Sequence, residues 1–345
     1  ANKLKSEISI HSKMISLEMG KPITESKLEV LKSVWVLEYY AQNAEKFLKN
    51  ELIDSDFSES FIQYDPIGIV FGIMPWNFPY WQVFRFIAPS LMAGNVCILK
   101  HASNVSGCAL LIEKLIKECC PYPNIFRTLI ISSLQVPGVI SNNKVKAVTL
   151  TGSEYAGSQV AMKAGKEIKK TVLELGGSDC FIVLEDADIE KAAKTAVAAR
   201  FLNAGQSCIA AKRFLIHDKI HDTFVAKVEI LIKNLKMGNP LLDETQIGPL
   251  AKIEFVDEID RLVQSSIKKG AKCILGGKKN DSYYYPTLLI NIDERMDVFN
   301  YETFGPVFCV MRINSADEAI RLANNSDYGL GGSVWTSDTE KGKKI

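Results

Sequence analysis

Apolar positions recur at helical spacing through the first fifty residues and then break into short runs rich in Ile and Val. A helix to about position 18 is stopped by Gly20-Lys21-Pro22, because glycine ends a helix and a proline soon after cannot continue it. A second amphipathic helix is predicted over 24–48, with Leu28, Leu31, Trp35, Tyr39 and Phe47 near helical spacing. The period is lost over 51–64. An Asp/Ser tip between Leu52-Ile53 and Phe61-Ile62 there predicts a hairpin. Strands then alternate with helices: strand 65–73, helix to Met92, strand 96–100, helix 106–118, strand 146–151, a helix opened by Gly152-Ser153, and strand 171–175 closed by Gly176-Gly177. The second half repeats the style, with strand 181–184, helix 188–200 capped by Asp188, strand 213–216, helices 221–235 and 253–269, and strands near 273–275 and 307–312. This alternation predicts an α/β chain of parallel sheets with crossover helices, divided at Gly176-Gly177.

Length and charge narrow the picture. A chain of 345 residues is long enough for two domains. Its net charge of +1 gives no global field to draw it to nucleic acid or anionic lipid. The longest apolar stretches, 67–74 and 88–99, are too short to span a bilayer. No charged-then-apolar leader opens the sequence. The eight cysteines are scattered without a CxxC, and the four histidines form no set with them, so neither a zinc site nor a disulfide framework is expected. These features predict a reduced, cytoplasmic protein without a metal.

One stretch points to chemistry. In NAGQSCIAAK, 203–212, Cys208 is flanked by small and polar residues rather than by the large apolar neighbours of a packed thiol. A cysteine hydrolase would need a histidine beside the thiol, and His11, His101, His217 and His221 all lie outside this stretch.

Five motifs stand in order around it: PWNFP at 75–79, TGS at 151–153, ELGG at 174–177, GQSC at 205–208 and ETFGPV at 302–307. In order and spacing they resemble the aldehyde dehydrogenase superfamily. The resemblance implies a Rossmann-like cofactor domain over 1–50 and 66–176, an oligomerisation hairpin at 51–65 and a catalytic domain over 177–345. Relatives are longer at both ends, which implies a truncated chain whose full-length form is a homodimer or homotetramer.

The same resemblance assigns roles. Cys208 is the nucleophile: once a thiolate adds to an aldehyde, the resulting alkoxide can expel hydride and leave a thioester. Asn77 and the Cys208 backbone N–H hold the oxyanion. Glu174 activates the water that hydrolyses the thioester, which disfavours acyl transfer to coenzyme A or phosphate. Gly152 and Ser153 place a helix N-terminus against a pyrophosphate. Pro75, Trp76, Leu175 and Gly176 complete the cofactor site, and Glu302 and Phe304 hold the nicotinamide ribose and ring. NAD-preferring relatives carry KPxE where this chain has KHAS at 100–103. Ser103 in the acid's place, with Lys100, predicts NADP, with NAD possible. His101 departs from the family's proline.

EMGKPITESK and the stretch around PWNFPYWQVFRF look like the succinate-semialdehyde dehydrogenase branch. There Arg85 pairs with the substrate's distal carboxylate, beside Trp81 and Ser207. Many such enzymes place a second arginine shortly before the cysteine. Here Leu202 stands at that position, with Arg200 out of register. The expected activity is oxidation of a small carboxylated aldehyde to the acid. The alternatives are a broader-specificity aldehyde dehydrogenase and a non-catalytic member acting as a binding or structural protein.

Overall fold

The computed structural model describes residues 1–345, which form two compact units. The first comprises Ala1–Glu18 and Ser26–Leu175, and the second Met19–Glu25 and Gly176–Ile345. The helices α1 (Asn2–Ser6), α2 (Ile8–Met19) and α3 (Ile23–Phe47) come first, then a small antiparallel pair, β1 (Glu51–Leu52) and β2 (Phe61–Ile62). There follow β3 (Ile69–Met74), α4 (Trp81–Met92), β4 (Val96–His101), α5 (Ser106–Cys119), β5 (Phe126–Thr128), α6 (Val136–Ser141), β6 (Val145–Thr151), α7 (Glu154–Lys166) and β7 (Lys170–Glu174).

In the first unit five parallel strands lie in the order β5-β4-β3-β6-β7. The order reverses direction at β3, the kind of switch point at which open α/β sheets receive ligands beyond the strands' carboxyl ends. Phe71, Val148, Leu150, Val160 and Ala164 fill one face. Gly72 is small by necessity, since a Cβ there would meet the Phe86 ring of α4 at 2.4 Å. Strand β3 starts four residues later than the apolar run predicts. Asn95 Oδ1 accepts from the Ile67 and Gly68 N–H groups at 2.8 and 3.2 Å, and Gly68 has φ +117°, so this stretch is a turn.

Two carboxylates from the N-terminal helices cap helices of the sheet. Glu29 Oε1 accepts from Tyr80 N at 2.8 Å and Trp81 N at 3.0 Å, at the start of α4. Glu18 accepts from Gly107 N at 2.7 Å and Cys108 N at 2.8 Å, at the start of α5. The first turn of a helix leaves its N–H groups unsatisfied and carries partial positive charge, so an anion there is stabilising.

The second unit contains β8 (Asp179–Val183), α8 (Ile189–Phe201), β9 (Ala211–His217), α9 (Asp218–Lys233), α10 (Ile253–Lys268), β10 (Lys272–Leu275), the short pair β11 (Lys279–Asn280) and β12 (Tyr283–Tyr284), β13 (Thr287–Ile290), α11 (Asp297–Asn300), β14 (Val307–Ile313), α12 (Ala316–Asn324), β15 (Gly332–Trp335) and α13 (Thr339–Lys344). Its sheet runs β10-β13-β14-β9-β8-β15. It is parallel except at β10, which pairs antiparallel with β13, so the expectation of a wholly parallel sheet is corrected at this edge. Every residue of β9 is buried, and the Phe214 and Phe308 rings stack at 3.6 Å between centroids. Arg213, also in β9, donates to the carbonyls of Ser178, Leu322 and Ala323 at 2.9–3.0 Å, which satisfies the C-terminal end of α12.

Residues 19–25, expected with the first domain, fold with the second. Gly20 has φ +79°, a Cβ there would lie 2.6 Å from the Pro249 carbonyl oxygen, and Ile23 N donates to Pro240 O at 2.7 Å. No helix of the chain is long and apolar enough to cross a membrane.

Replacing Glu18 with alanine uncovers two N–H groups of α5 and should cost about 1–3 kcal/mol. The urea midpoint should fall, with Glu18→Gln intermediate. An unchanged midpoint would show that water serves these groups equally well.

Candidate active site

The cysteine loop belongs to the second unit and is built from below. After α8 the chain enters the short 3-10 segment Leu202–Gly205, in which Asn203 (φ 55°), Ala204 (φ 51°) and Gly205 (φ 77°) are all left-handed. Left-handed backbone at two non-glycine residues costs of order 1–3 kcal/mol each and persists only where the surroundings impose it. Here they do. Asn203 N donates to Glu25 Oε2 at 2.7 Å, the Asn203 and Gln206 side-chain amides donate to each other's carbonyls at 3.1 Å, and Ala251 N donates to Gln206 Oε1 at 3.0 Å.

Arg200, which lies out of register for substrate, is wholly buried and faces this loop. Its guanidinium donates to the carbonyls of Ala211 (3.2 Å), Gly205 (3.3 Å), Thr303 (2.7 Å) and Gly305. Burial pulls its pKa down to about 10. Lys212 does the same one layer nearer the thiol. Its Nζ donates to the carbonyls of Ser207 (2.9 Å), Cys208 (2.9 Å) and Ala210 (3.2 Å), and pairs with Glu302 Oε1 at 3.2 Å. Burial lowers its pKa to about 8, against the opposing pull of Glu302. Glu302 Oε1 also accepts from Gly177 N at 3.1 Å. Thus the second unit brings Ser207, Cys208, Glu302 and the Gly176-Gly177 turn into one network through Lys212. Ser207 is buried, Cys208 half-buried, and Phe304 half-buried two residues beyond Glu302.

In the first unit the loop 75–79 leaves the end of β3, with Asn77 buried and Pro75 and Trp76 half-buried. His101, at the end of neighbouring β4, replaces the family's proline with a clamp. Nε2 lies 2.9 Å from Pro79 O, Nδ1 lies 3.0 Å from Ala102 N and 3.1 Å from Met74 O. Burial keeps the ring's pKa low despite both carbonyls. The ring thus lies between the Met74 and Pro79 carbonyls, beside the Ala102 N–H that also donates to Met74 O at 3.0 Å. His101 therefore ties the Asn77 loop to the turn that holds Lys100 and Ser103.

That turn, 100–106, contains one lysine and three neutral polar side chains besides His101, and no carboxylate. Ser153 caps α7, accepting from Ala156 N at 3.3 Å. Gly157 lets this helix close on the end of β7, since a Cβ there would meet Leu175 at 2.5 Å. Lys100 thus lies at the carboxyl end of β4 and Ser103 just beyond it, while Gly152 and Ser153 follow β6, the next strand but one. A cation and hydroxyls at the end of β4, together with the α7 N-terminus capped by Ser153, are a donor set that fits a dinucleotide bearing a 2′-phosphate.

Arg85 and Glu174 meet in this unit. Arg85 Nη1 lies 3.7 Å from Glu174 Oε2 and Nη2 donates to Thr151 Oγ1 at 3.3 Å. All three line a cavity of about 320 Å³ that also includes Gln82. Trp81 is half-buried one turn before Arg85. Leu202 is exposed. No group of three or more His, Cys, Asp or Glu residues could hold a metal ion.

Two outcomes follow. Replacing His101 with alanine should lower turnover about tenfold by releasing the Asn77 loop, a misplacement effect, while His101→Gln keeps a donor for Pro79 and retains more. Steady-state kinetics on both variants decide it, and equal turnover in all three proteins would remove the clamp. For Lys212, the folded pKa of about 8 lies below the ordinary 10.5. Between these values the unfolded chain binds the extra proton, so this residue makes stability rise with pH across that window and contributes no slope below it. Urea midpoints across the window should rise more steeply in the parent than in Lys212→Met; parallel curves would contradict the assignment.

The aldehyde dehydrogenase family model matches residues 1–345. The chain is 46% identical over 335 residues to a protein of Synechocystis named probable succinate-semialdehyde dehydrogenase (NADP(+)), covering 96% of this chain and 74% of that one. It is 46% identical over 351 residues to succinate-semialdehyde dehydrogenase (NADP(+)) of Mycobacterium avium, covering 100% and 74%. The crystal structure of succinic semialdehyde dehydrogenase from Streptococcus pyogenes in complex with NADP+ superposes with a TM-score of 0.97 at 35% identity, over 99% of this chain and 76% of that one. The chain belongs to the aldehyde dehydrogenase family.

Proposed function

We propose that the chain oxidises succinate semialdehyde to succinate with NADP as the hydride acceptor. The observation that carries the substrate is Arg85. A guanidinium lining the same cavity as Glu174 is positioned to receive a carboxylate at the far end of a short aldehyde. The names of the relatives from Synechocystis and Mycobacterium avium support the same substrate and cofactor.

In this reading the Cys208 thiolate adds to the aldehyde carbon and the carbonyl oxygen becomes an oxyanion. Asn77 and the Cys208 N–H hold that oxyanion. Lys212 fixes the Ser207 and Cys208 carbonyls and so the orientation of the Cys208 peptide. A bound nicotinamide supplies the hydride acceptor. Loss of hydride from carbon leaves a thioester on Cys208. Glu174 takes a proton from water, which attacks the thioester carbon, releasing the acid and the thiol. Lys100 and Ser103 would take a 2′-phosphate and Gly152 and Ser153 the pyrophosphate, with Pro75, Trp76, Leu175 and Gly176 completing the cofactor site. Glu302 and Phe304 hold the ribose and ring. Trp81 and Ser207 border the aldehyde.

Assembly as a homodimer or homotetramer is supported by the exposed apolar side chains of the 51–65 hairpin, among them Leu52, Phe57 and Phe61. Cys97, Cys180 and Cys309 are buried and no cysteine is disulfide-bonded, which suits a reducing cytoplasmic setting.

Absorbance growth at the reduced-nicotinamide band with succinate semialdehyde tests the reading, with Cys208→Ser as the inactive control. The reaction should run faster with NADP than with NAD. Arg85→Leu should raise KM for succinate semialdehyde about 10- to 100-fold while changing little for butanal, the loss of one charge-assisted bond. Equal kcat/KM for the two aldehydes in the parent protein would favour broad specificity. A folded, thiol-intact sample without turnover would favour a non-catalytic role.

A further inference from the structure

Lys32 lies on α3, three residues after Glu29. Glu29 Oε1 is engaged by the Tyr80 and Trp81 N–H groups at the start of α4. The Lys32 ammonium instead rests on the Trp81 ring, 4.1 Å from its centroid. Trp81 and Arg85 are four residues apart on α4 and so share a face. Loss of water around the stacked ammonium, and next the Arg85 charge, lower the Lys32 pKa, against a smaller pull from Glu29. Lys32 is thus held on the Trp81 indole one turn before Arg85, while Glu29 serves as a helix cap and Arg85 reaches Glu174 Oε2 at 3.7 Å. The repulsion between Lys32 and Arg85 is relieved when an anion arrives.

We propose that Lys32 is a second cation for the distal carboxylate of the aldehyde, acting with Arg85 in place of the arginine absent at Leu202. The inference rests on the substrate reading above and adds a residue to it. A carboxylate has two oxygens, and separate cations can each take one. Stacking on Trp81 holds the lysine's flexible stem, which reduces the ordering cost of the contact. A neutral aldehyde gains nothing from either charge, so the pair discriminates by substrate charge rather than by size.

Lys32 is exposed, so its variants should fold. Lys32→Met keeps the stem on Trp81 and removes the charge; Lys32→Arg keeps the charge. Kinetics with succinate semialdehyde and with butanal, and calorimetric binding of succinate, are measured for each. Lys32→Met should raise KM for succinate semialdehyde about tenfold and weaken succinate binding equally, the worth of one charge-assisted bond, with kcat and the butanal KM within about twofold. Lys32→Arg should restore most of the loss. If Lys32→Met leaves KM and succinate binding unchanged while Arg85→Leu remains selective, Lys32 has no part in binding and the substrate reading stands. Equal loss for both aldehydes also overturns the proposal, since it marks a structural role. If the parent protein shows no preference for the carboxylated aldehyde, the substrate reading falls and this inference with it.

Discussion

Two buried cations and the backbone carbonyls they hold are the constraint on which the cysteine loop depends. Arg200 and Lys212 flank the loop in sequence and converge beneath it in space, donating to seven carbonyls between them. A buried charge is expensive unless every donor finds a partner. Here Lys212 Nζ and both terminal nitrogens of Arg200 find carbonyls, leaving only Arg200 Nε without one. The two needs meet: the loop is free to turn left-handed at Asn203 and Ala204 because its carbonyls are served, and the cations are tolerated because the loop is irregular. Lys212 also joins the loop to Glu302, so the thiol segment and the ETFGPV segment are fixed as one piece.

The first unit solves a similar problem with the opposite sign. There, irregular segments lead into α4 and α5, and N–H groups rather than carbonyls are left over. Glu29 and Glu18 supply the anions. His101 then spans the gap between the two segments, one nitrogen on each. The loop with Asn77 and the turn with Lys100 and Ser103 are consequently set by side chains outside both motifs.

This division explains what could be read in advance. The alternation of strand and helix, the cap at Asp188 and the helix opened by Gly152-Ser153 follow from local spacing, and local spacing survives folding. The antiparallel β10, the membership of residues 19–25 in the second unit and the later start of β3 depend on partners far along the chain, such as Pro240 and Pro249 for the 19–25 turn. Arg200 was visible as a residue but not as a loop support, because an arginine that ends an amphipathic helix looks the same whether it faces water or carbonyls. Lys212 was hidden for the same reason: a lysine before a strand reads as solvated. In sequence His101 reads only as a departure from the proline of KPxE. Arg85 was legible as a cation on α4, whereas its approach to Glu174 required the register of β6 and β7.

The hydrogen bond from Asn203 to Glu25 joins residues 178 positions apart. A ribosome releases Glu25 early and Asn203 much later, so the carboxylate that holds the thiol loop waits for most of the chain to be made. Closing so long a span is among the slower steps of folding. The loop therefore takes its final shape only when the second unit is nearly complete, and a partly made chain carries an ordinary, unshaped cysteine. The thiol is in this way presented last, after the fold that surrounds it exists.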